Sequence, residues 1–210
     1  MSRRAGRRAA DRTAVAHQAL SLLLGYPDQR LFERRPVIAD AVASLPDDLA
    51  APLLEFLDHL TATGPATAQR DYVATFDLRP RCCLYLSWWT HGDTRERGKA
   101  LVRFKEIYRT AGLTPPEHEL PDHLGVVLEF AAIGDREAGR ALLVEHRPAL
   151  ELLRTALSGR RSPYARLVEV ALATLPAAGP DVRETARRIA ATGPPQERVG
   201  LEPYPSGGPR

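Results

Sequence analysis

The sequence predicts an all-α fold, a single-domain bundle of about nine to eleven helices. Three observations lead there. Apolar residues recur three and four positions apart, as in Leu49, Leu53, Phe56, Leu57 and Leu60, or Leu101, Phe104, Tyr108 and Ala111. No segment alternates apolar and polar residues as a half-buried strand would. Glycine, proline and capping residues interrupt the pattern at helix-length intervals. With 210 residues, 44% of them hydrophobic, the chain can bury one sizeable core and needs no second domain.

The elements follow in order. A first helix, residues 8–24, is ended by Gly25-Tyr26-Pro27, and Asp28 can cap a second, 28–44, which Pro36 is expected to break or restart and Pro46 to close. Further helices are expected at 48–62, 66–77, 81–91, 93–111, 121–133, 135–157 with a break at Pro148, 163–175 and 181–192. Asp93 with Glu96 and Asp181 with Glu184 have the spacing of capping boxes. Gly92 and Gly112 suit left-handed closing positions, and Ser162-Pro163 reads as a cap followed by proline at the first helical position. The domain plan is a basic flexible arm at 1–7, a helical domain at 8–192 and a Pro/Gly-rich flexible tail at 193–210. No repeat of fixed period is visible, which argues against a solenoid.

Composition narrows the function classes. No run approaches the roughly 20 apolar residues of a membrane span, and although Ser2-Arg3-Arg4 resembles part of an export signal, Asp11, Arg12, His17 and Gln18 interrupt the apolar stretch that would have to follow. The two cysteines, Cys82 and Cys83, are adjacent and would close a strained ring, so no disulfide framework is expected and a reducing cytoplasm fits. Of the net charge of +3, the first twelve residues hold +4, leaving −1 for the remainder. The basicity therefore belongs to the start of the chain. Within the body, Leu78 to Arg109 carries eight Arg or Lys against three acids, and Leu113 to Leu152 eight acids against three Arg, so two faces of opposite sign are expected.

Catalytic and metal-binding motifs are missing. His118 and His123 fall on different helical faces, Cys82-Cys83 lacks a CxxC partner or a nearby histidine and reads as buried helix-face thiols, and nothing resembles a phosphate-cradling glycine loop, a GxSxG elbow or an HExxH helix. Asp122 and His123, adjacent on a helix, do not face one another as an acid–base pair, and a helix N-terminal role suits both. Binding is better provided for. Leu84, Tyr85, Leu86, Trp88 and Trp89 carry both tryptophans, and an unbroken set of large residues covers more than one helical face; core packing accounts for most of it, and a groove for the rest. Arg81, Arg95 and Arg97 nearby add a residue type enriched in binding hot spots. Glu117, Glu119 and Asp122 beside His123 form an acidic set suited to a cationic, Arg-bearing peptide. A competing assignment is a DNA-binding helical regulator, with the Arg-rich start as an arm and Arg95 to Arg109 as a recognition helix; the net-negative body weighs against it.

Three spaced runs carry a resemblance: Tyr72-Val73-Ala74-Thr75-Phe76-Asp77; Arg81-Cys82-Cys83-Leu84-Tyr85-Leu86; and His91-Gly92-Asp93-Thr94-Arg95-Glu96-Arg97-Gly98. With Glu119-Leu120-Pro121-Asp122-His123-Leu124 and Leu128-Glu129-Phe130, they are similar to the NarJ family of nitrate reductase assembly chaperones and, in the Pro-Asp-His core, to the wider TorD and DmsD group. The likeness spans roughly Leu20 to Pro176 and returns at Val199-Gly200-Leu201-Glu202-Pro203. Glu96 departs from a motif that is usually more basic, and both chain ends lie outside the family core.

The resemblance implies a TorD/NarJ-like helical bundle working as a cytoplasmic chaperone rather than an enzyme. Its client would be the apo catalytic (alpha) subunit of a respiratory nitrate reductase, alone or as the alpha–beta complex, bound partly through its N-terminal segment and kept competent for molybdenum cofactor insertion. It implies no stably bound cofactor, no nucleic acid and no stable membrane association. The client-binding set read from the chain is Tyr72, Phe76, Asp77, Tyr85, Trp88, Trp89, Arg95, Arg97, Glu119, Asp122 and His123, with a pH response between about 5 and 8 expected if His123 lies near the peptide.

Overall fold

The protein is described here by a computed structural model that covers residues 2–114 and 118–195. Its helices are α1 (Ser2–Leu23), α2 (Gln29–Val42), α3 (Asp47–Thr63), α4 (Pro65–Tyr72), α5 (Leu86–His91), α6 (Arg95–Thr110), α7 (Leu124–Ile133), α8 (Arg136–Glu145), α9 (Arg147–Ser158), α10 (Tyr164–Ala173) and α11 (Pro180–Thr192). Among the described residues the one β pairing is an isolated antiparallel bridge between Tyr85 and His123. The all-α bundle expected from the apolar spacing is the observed architecture, and no described helix is long and apolar enough to cross a membrane.

α7 sits at the centre. Its sequence, LGVVLEFAAI, is apolar on nearly every face, and a helix with no polar stripe must be surrounded. It packs against α1, whose Ala16, Ala19, Leu20, Leu23 and Leu24 are all buried, and against α8, where Gly139 meets Ala131. α9, α10 and α3 build the other half of the core through Leu150, Leu153, Leu157, Leu167, Val168, Leu53 and Leu57. Each such side chain contributes about 1.5–3 kcal/mol by leaving water, so the single continuous core explains why one domain suffices.

Local signals hold in several places. Asp28 Oδ1 accepts from the Leu31 amide at 2.8 Å, the α8–α9 break falls at His146 with Pro148 in the first turn of α9, and Gly92 and Gly112 have φ of 59° and 75°. Other expectations are corrected. α1 begins at Ser2 rather than near residue 8. Pro36 lies inside a continuous α2 because the Phe32 carbonyl, which proline cannot serve, accepts instead from Arg35 Nε at 3.2 Å. Neither capping box forms. α6 starts after Thr94, whose hydroxyl donates to the His91 carbonyl, and Glu96 pairs with Lys99; α11 starts at Pro180, one residue before the expected cap Asp181. Ser162 does not cap α10, where Pro163 takes the N-cap position.

The expected helix 81–91 is also broken up. Pro80–Cys82 forms a 3-10 turn, Cys83 to Tyr85 is extended, and only Leu86 to His91 is helical. The cysteines are therefore not on one helix face: Cys82 is buried in the turn and Cys83 half-buried in the extended segment. The basic and acidic segments do not separate cleanly either, since the Arg103 guanidinium of α6 clasps the Glu145 carboxylate of α8.

Candidate functional site

The site is built around two short segments that pair. The Leu86 amide donates to the Asp122 carbonyl at 3.0 Å and the Leu124 amide to the Leu84 carbonyl at 2.9 Å, which lays 84–86 beside 122–124. Asp122 Oδ2 accepts from the Ser87 amide at 3.1 Å and its hydroxyl at 2.5 Å, so a residue preceding α7 caps α5. Next in the chain, His123 caps α7: its Nδ1 accepts from the Gly125 amide at 3.1 Å. The helix N-terminal role expected of both residues is thus divided between two helices. The Tyr108 hydroxyl, donating to the Pro121 carbonyl at 2.6 Å, fixes the same segment from below.

This pairing presents Tyr85 and His123 side by side, their rings edge to face at 5.4 Å. Tyr85 donates its hydroxyl to Glu119 Oε1 at 3.0 Å, and Arg97 lies over the Tyr85 ring at 5.6 Å. Across from them α4 runs into a π-turn, Val73–Asp77, where the Leu78 amide reaches the Val73 carbonyl at 3.1 Å. Such turns often mark functional positions because they re-aim side chains. Here the Tyr72 and Phe76 rings meet at a tilt with centroids 4.8 Å apart, both pack on Tyr164, and the Tyr72 hydroxyl donates to the Leu24 carbonyl at 3.1 Å.

Between these walls lies a cleft of about 280 Å³ lined by Gly25, Tyr26, Tyr72, Phe76, Asp77, Cys83, Leu84, Tyr85, Glu119 and His123. Six residues of the sequence-derived set, Tyr72, Phe76, Asp77, Tyr85, Glu119 and His123, are therefore brought together. Asp122 lies fully buried behind them as a structural support. Trp89 is in the core with its Nε1 donating to the Cys83 carbonyl at 3.0 Å, and Trp88 packs edge-on against it; neither lines the cleft. Arg95, in the first turn of α6, is exposed outside it, and Glu117 falls outside the described residues. Sequence reasoning missed Tyr26. It is 50% exposed, meets Tyr72 edge to face at 5.6 Å, and its signal was there to find: a large aromatic in a Gly-Tyr-Pro turn that punctuation alone does not require.

Electrostatically the cleft is acidic, with Asp77 and Glu119 and no Lys or Arg among its lining residues. Burial pushes the Tyr72 and Tyr85 phenols upward, in Tyr85 with help from Glu119, so both remain protonated donors. Burial lowers His123, against the opposing pull of Glu119 and Asp122. Its Nδ1, serving as an acceptor, fits the neutral ring. Cys83 is raised to about 11 by burial, which makes it a poor nucleophile. Among the described residues no three His, Cys, Asp or Glu side chains are grouped to hold a metal ion. Such a set of apolar rings and hydrogen-bonding acids can hold a peptide. In α6, Arg97, Lys99 and Arg103 are engaged with Tyr85, Glu96 and Glu145, which occupies cations that a DNA recognition helix would present.

Comparison with known proteins places the chain. A model of the nitrate reductase delta subunit family matches residues 42–169. The chain is 44% identical over 155 residues to the nitrate reductase-like protein NarX of Mycobacterium tuberculosis, covering 73% of this chain but 23% of that protein. It is 34% identical over 175 residues to the probable nitrate reductase molybdenum cofactor assembly chaperone NarJ of Bacillus subtilis, covering 81% of this chain and 92% of the relative. To the nitrate reductase molybdenum cofactor assembly chaperone NarJ of Escherichia coli K12 it is 36% identical over 156 residues, 73% of this chain and 66% of that one. Every lining residue of the cleft from Tyr72 to His123 falls within the matched family segment, and the chain belongs to the nitrate reductase delta subunit family, with the NarJ assembly chaperones.

Proposed function

We propose that this chain is a cytoplasmic chaperone that binds the apo catalytic subunit of a respiratory nitrate reductase and keeps it competent for molybdenum cofactor insertion. The N-terminal segment of the client enters the Tyr26–Tyr72–Phe76–Tyr85 cleft, and the rest of the subunit engages neighbouring surface. The protein performs no chemistry on the client and holds no cofactor of its own.

The observation that carries this reading is the cleft's composition: four aromatic rings for an apolar anchor, and Asp77 with Glu119 for a cationic group, with no Lys or Arg among the lining residues. Membership of the NarJ family supports the choice of client. Because His123 sits below its ordinary value, the pH response of binding falls on the acid side of about 6.5 rather than across the whole range from 5 to 8. Calorimetry with the N-terminal peptide of a co-encoded catalytic subunit, and with the whole apo subunit, tests the proposal. Binding of at least one is expected, weakening as salt rises; no binding by either would refute it.

A further inference from the structure

The π-turn also walls a second hollow, of about 300 Å³, that the client cleft does not use. His59 of α3, Asp71 and Thr75, Arg79, and the α9–α10 corner at Arg160, Arg161 and Ser162 line it. Arg79 thus meets the adjacent pair Arg160 and Arg161, distant from it in sequence, at one concavity. None of them forms an ion pair with an acid among the described residues. Arg79 Nε donates to the Ala74 carbonyl at 3.0 Å, so a neutral acceptor positions that guanidinium group and leaves its charge without a paired acid.

Arg161 has the more unusual backbone. At φ 55° it is the one non-glycine residue with positive φ among those described. It closes α9 in a Schellman arrangement, with the Arg161 amide donating to the Ser158 carbonyl at 2.9 Å and the Ser162 amide to the Leu157 carbonyl at 3.0 Å. Glycine is the residue that fits this position without strain. An arginine there keeps a guanidinium at the hollow against the preference of its own backbone, and such outliers point to function. Ser162 Oγ, buried and without a partner among the described residues, lines the same wall.

We propose that this hollow is a binding site for a small phosphate-bearing ligand, gripped by Arg79, Arg160 and Arg161. Guanidinium groups match phosphate oxygens through paired N–H donors, and the hydroxyls of Ser162 and Thr75 add neutral donors. Asp71, the single carboxylate in the lining, opposes a bare anion but accepts from a hydroxyl or amino group on the ligand's body. The site therefore favours a phosphate ester over inorganic phosphate.

Calorimetry on the full chain with ribose 5-phosphate and with inorganic pyrophosphate tests this. The expected result is saturable one-to-one binding of ribose 5-phosphate, tighter than any binding of pyrophosphate, weakened about tenfold or more by Arg161→Gly and by Arg79→Gln. Arg161→Gly should fold at least as stably as the parent, because glycine relieves the backbone, so loss of binding there is not loss of structure. Absence of saturable ribose 5-phosphate binding, tighter binding of pyrophosphate, binding that Arg161→Gly leaves intact, or heats reproduced by chloride at matched ionic strength would each overturn the proposal.

Discussion

Asp122 and Ser87, 35 positions apart, form the closest polar contact of the site, with Oδ2 accepting from the Ser87 hydroxyl at 2.5 Å and from its amide at 3.1 Å. The pair does for α5 what a local cap does for other helices. It also sets how Tyr85 stands relative to His123, since the backbone bridge and the side-chain cap come from the same few residues. Asp122→Ala leaves two buried donors without an acceptor. It is expected to cost about 2 kcal/mol or more, read as a lower midpoint in denaturant unfolding. An unchanged midpoint would show that the pairing does not hold the segment.

Acid should destabilise the fold through His17. Its Nε2 lies 2.9 Å from Thr174 Oγ1, and because that hydroxyl donates to the Ala171 carbonyl, His17 must be the donor, leaving Nδ1 deprotonated, buried and without a partner. Burial lowers its pKa from 6.5 to about 4. A depressed folded-state value means the stabilisation is complete above the unfolded value of 6.5 and is lost as pH falls toward 4. Between about pH 7 and about pH 5 this amounts to roughly 2 kcal/mol. Burial lowers His123 and His146 as well, so they act in the same direction. Unfolding curves across that window should show the decline, and His17→Gln should flatten it; a parallel decline in the variant would assign the effect elsewhere.

The α7–α8 hairpin makes a steric prediction. A Cβ at Gly139 would lie 2.5 Å from Ala131 Cα and 2.7 Å from its Cβ, contacts that only a shift of backbone can relieve. Gly139→Ala, which in an exposed helix would stabilise by removing flexibility, should here destabilise by about 1–3 kcal/mol. Thermal unfolding distinguishes the two signs.

What was legible in the chain depended on the range of the interaction. Gly25-Tyr26-Pro27, Asp28, Gly92, Gly112 and Pro148 act on their own neighbours and marked boundaries well. Pro36 misled because its remedy, Arg35 reaching the Phe32 carbonyl, is a side-chain accident of the folded helix. The Asp93–Glu96 and Asp181–Glu184 boxes had the right spacing but the wrong register, displaced by Thr94 and Pro180. The segment from Cys83 to Tyr85 reads as helix from its large residues and is extended because 122–124 pairs with it, a contact that no local pattern encodes. The same holds for the site. Tyr72, Phe76, Tyr85 and Glu119 were readable as types, whereas the exclusion of Trp88 and Trp89 from the cleft, the entry of Tyr26 and the convergence of Arg79 with Arg161 arise only when distant helices pack.

The central claim is that the aromatic cleft holds the client. Its most direct test is calorimetric titration of the chain with the N-terminal segment of a co-encoded nitrate reductase catalytic subunit, comparing the parent with Phe76→Ala and Glu119→Gln. Both residues line the cleft, and Phe76 is only partly buried, so the fold should survive either change. Saturable binding is predicted, with affinity reduced about tenfold or more by Phe76→Ala and with a shallower salt dependence in Glu119→Gln. Binding that both variants leave unchanged would contradict the account and place the client elsewhere on the molecule.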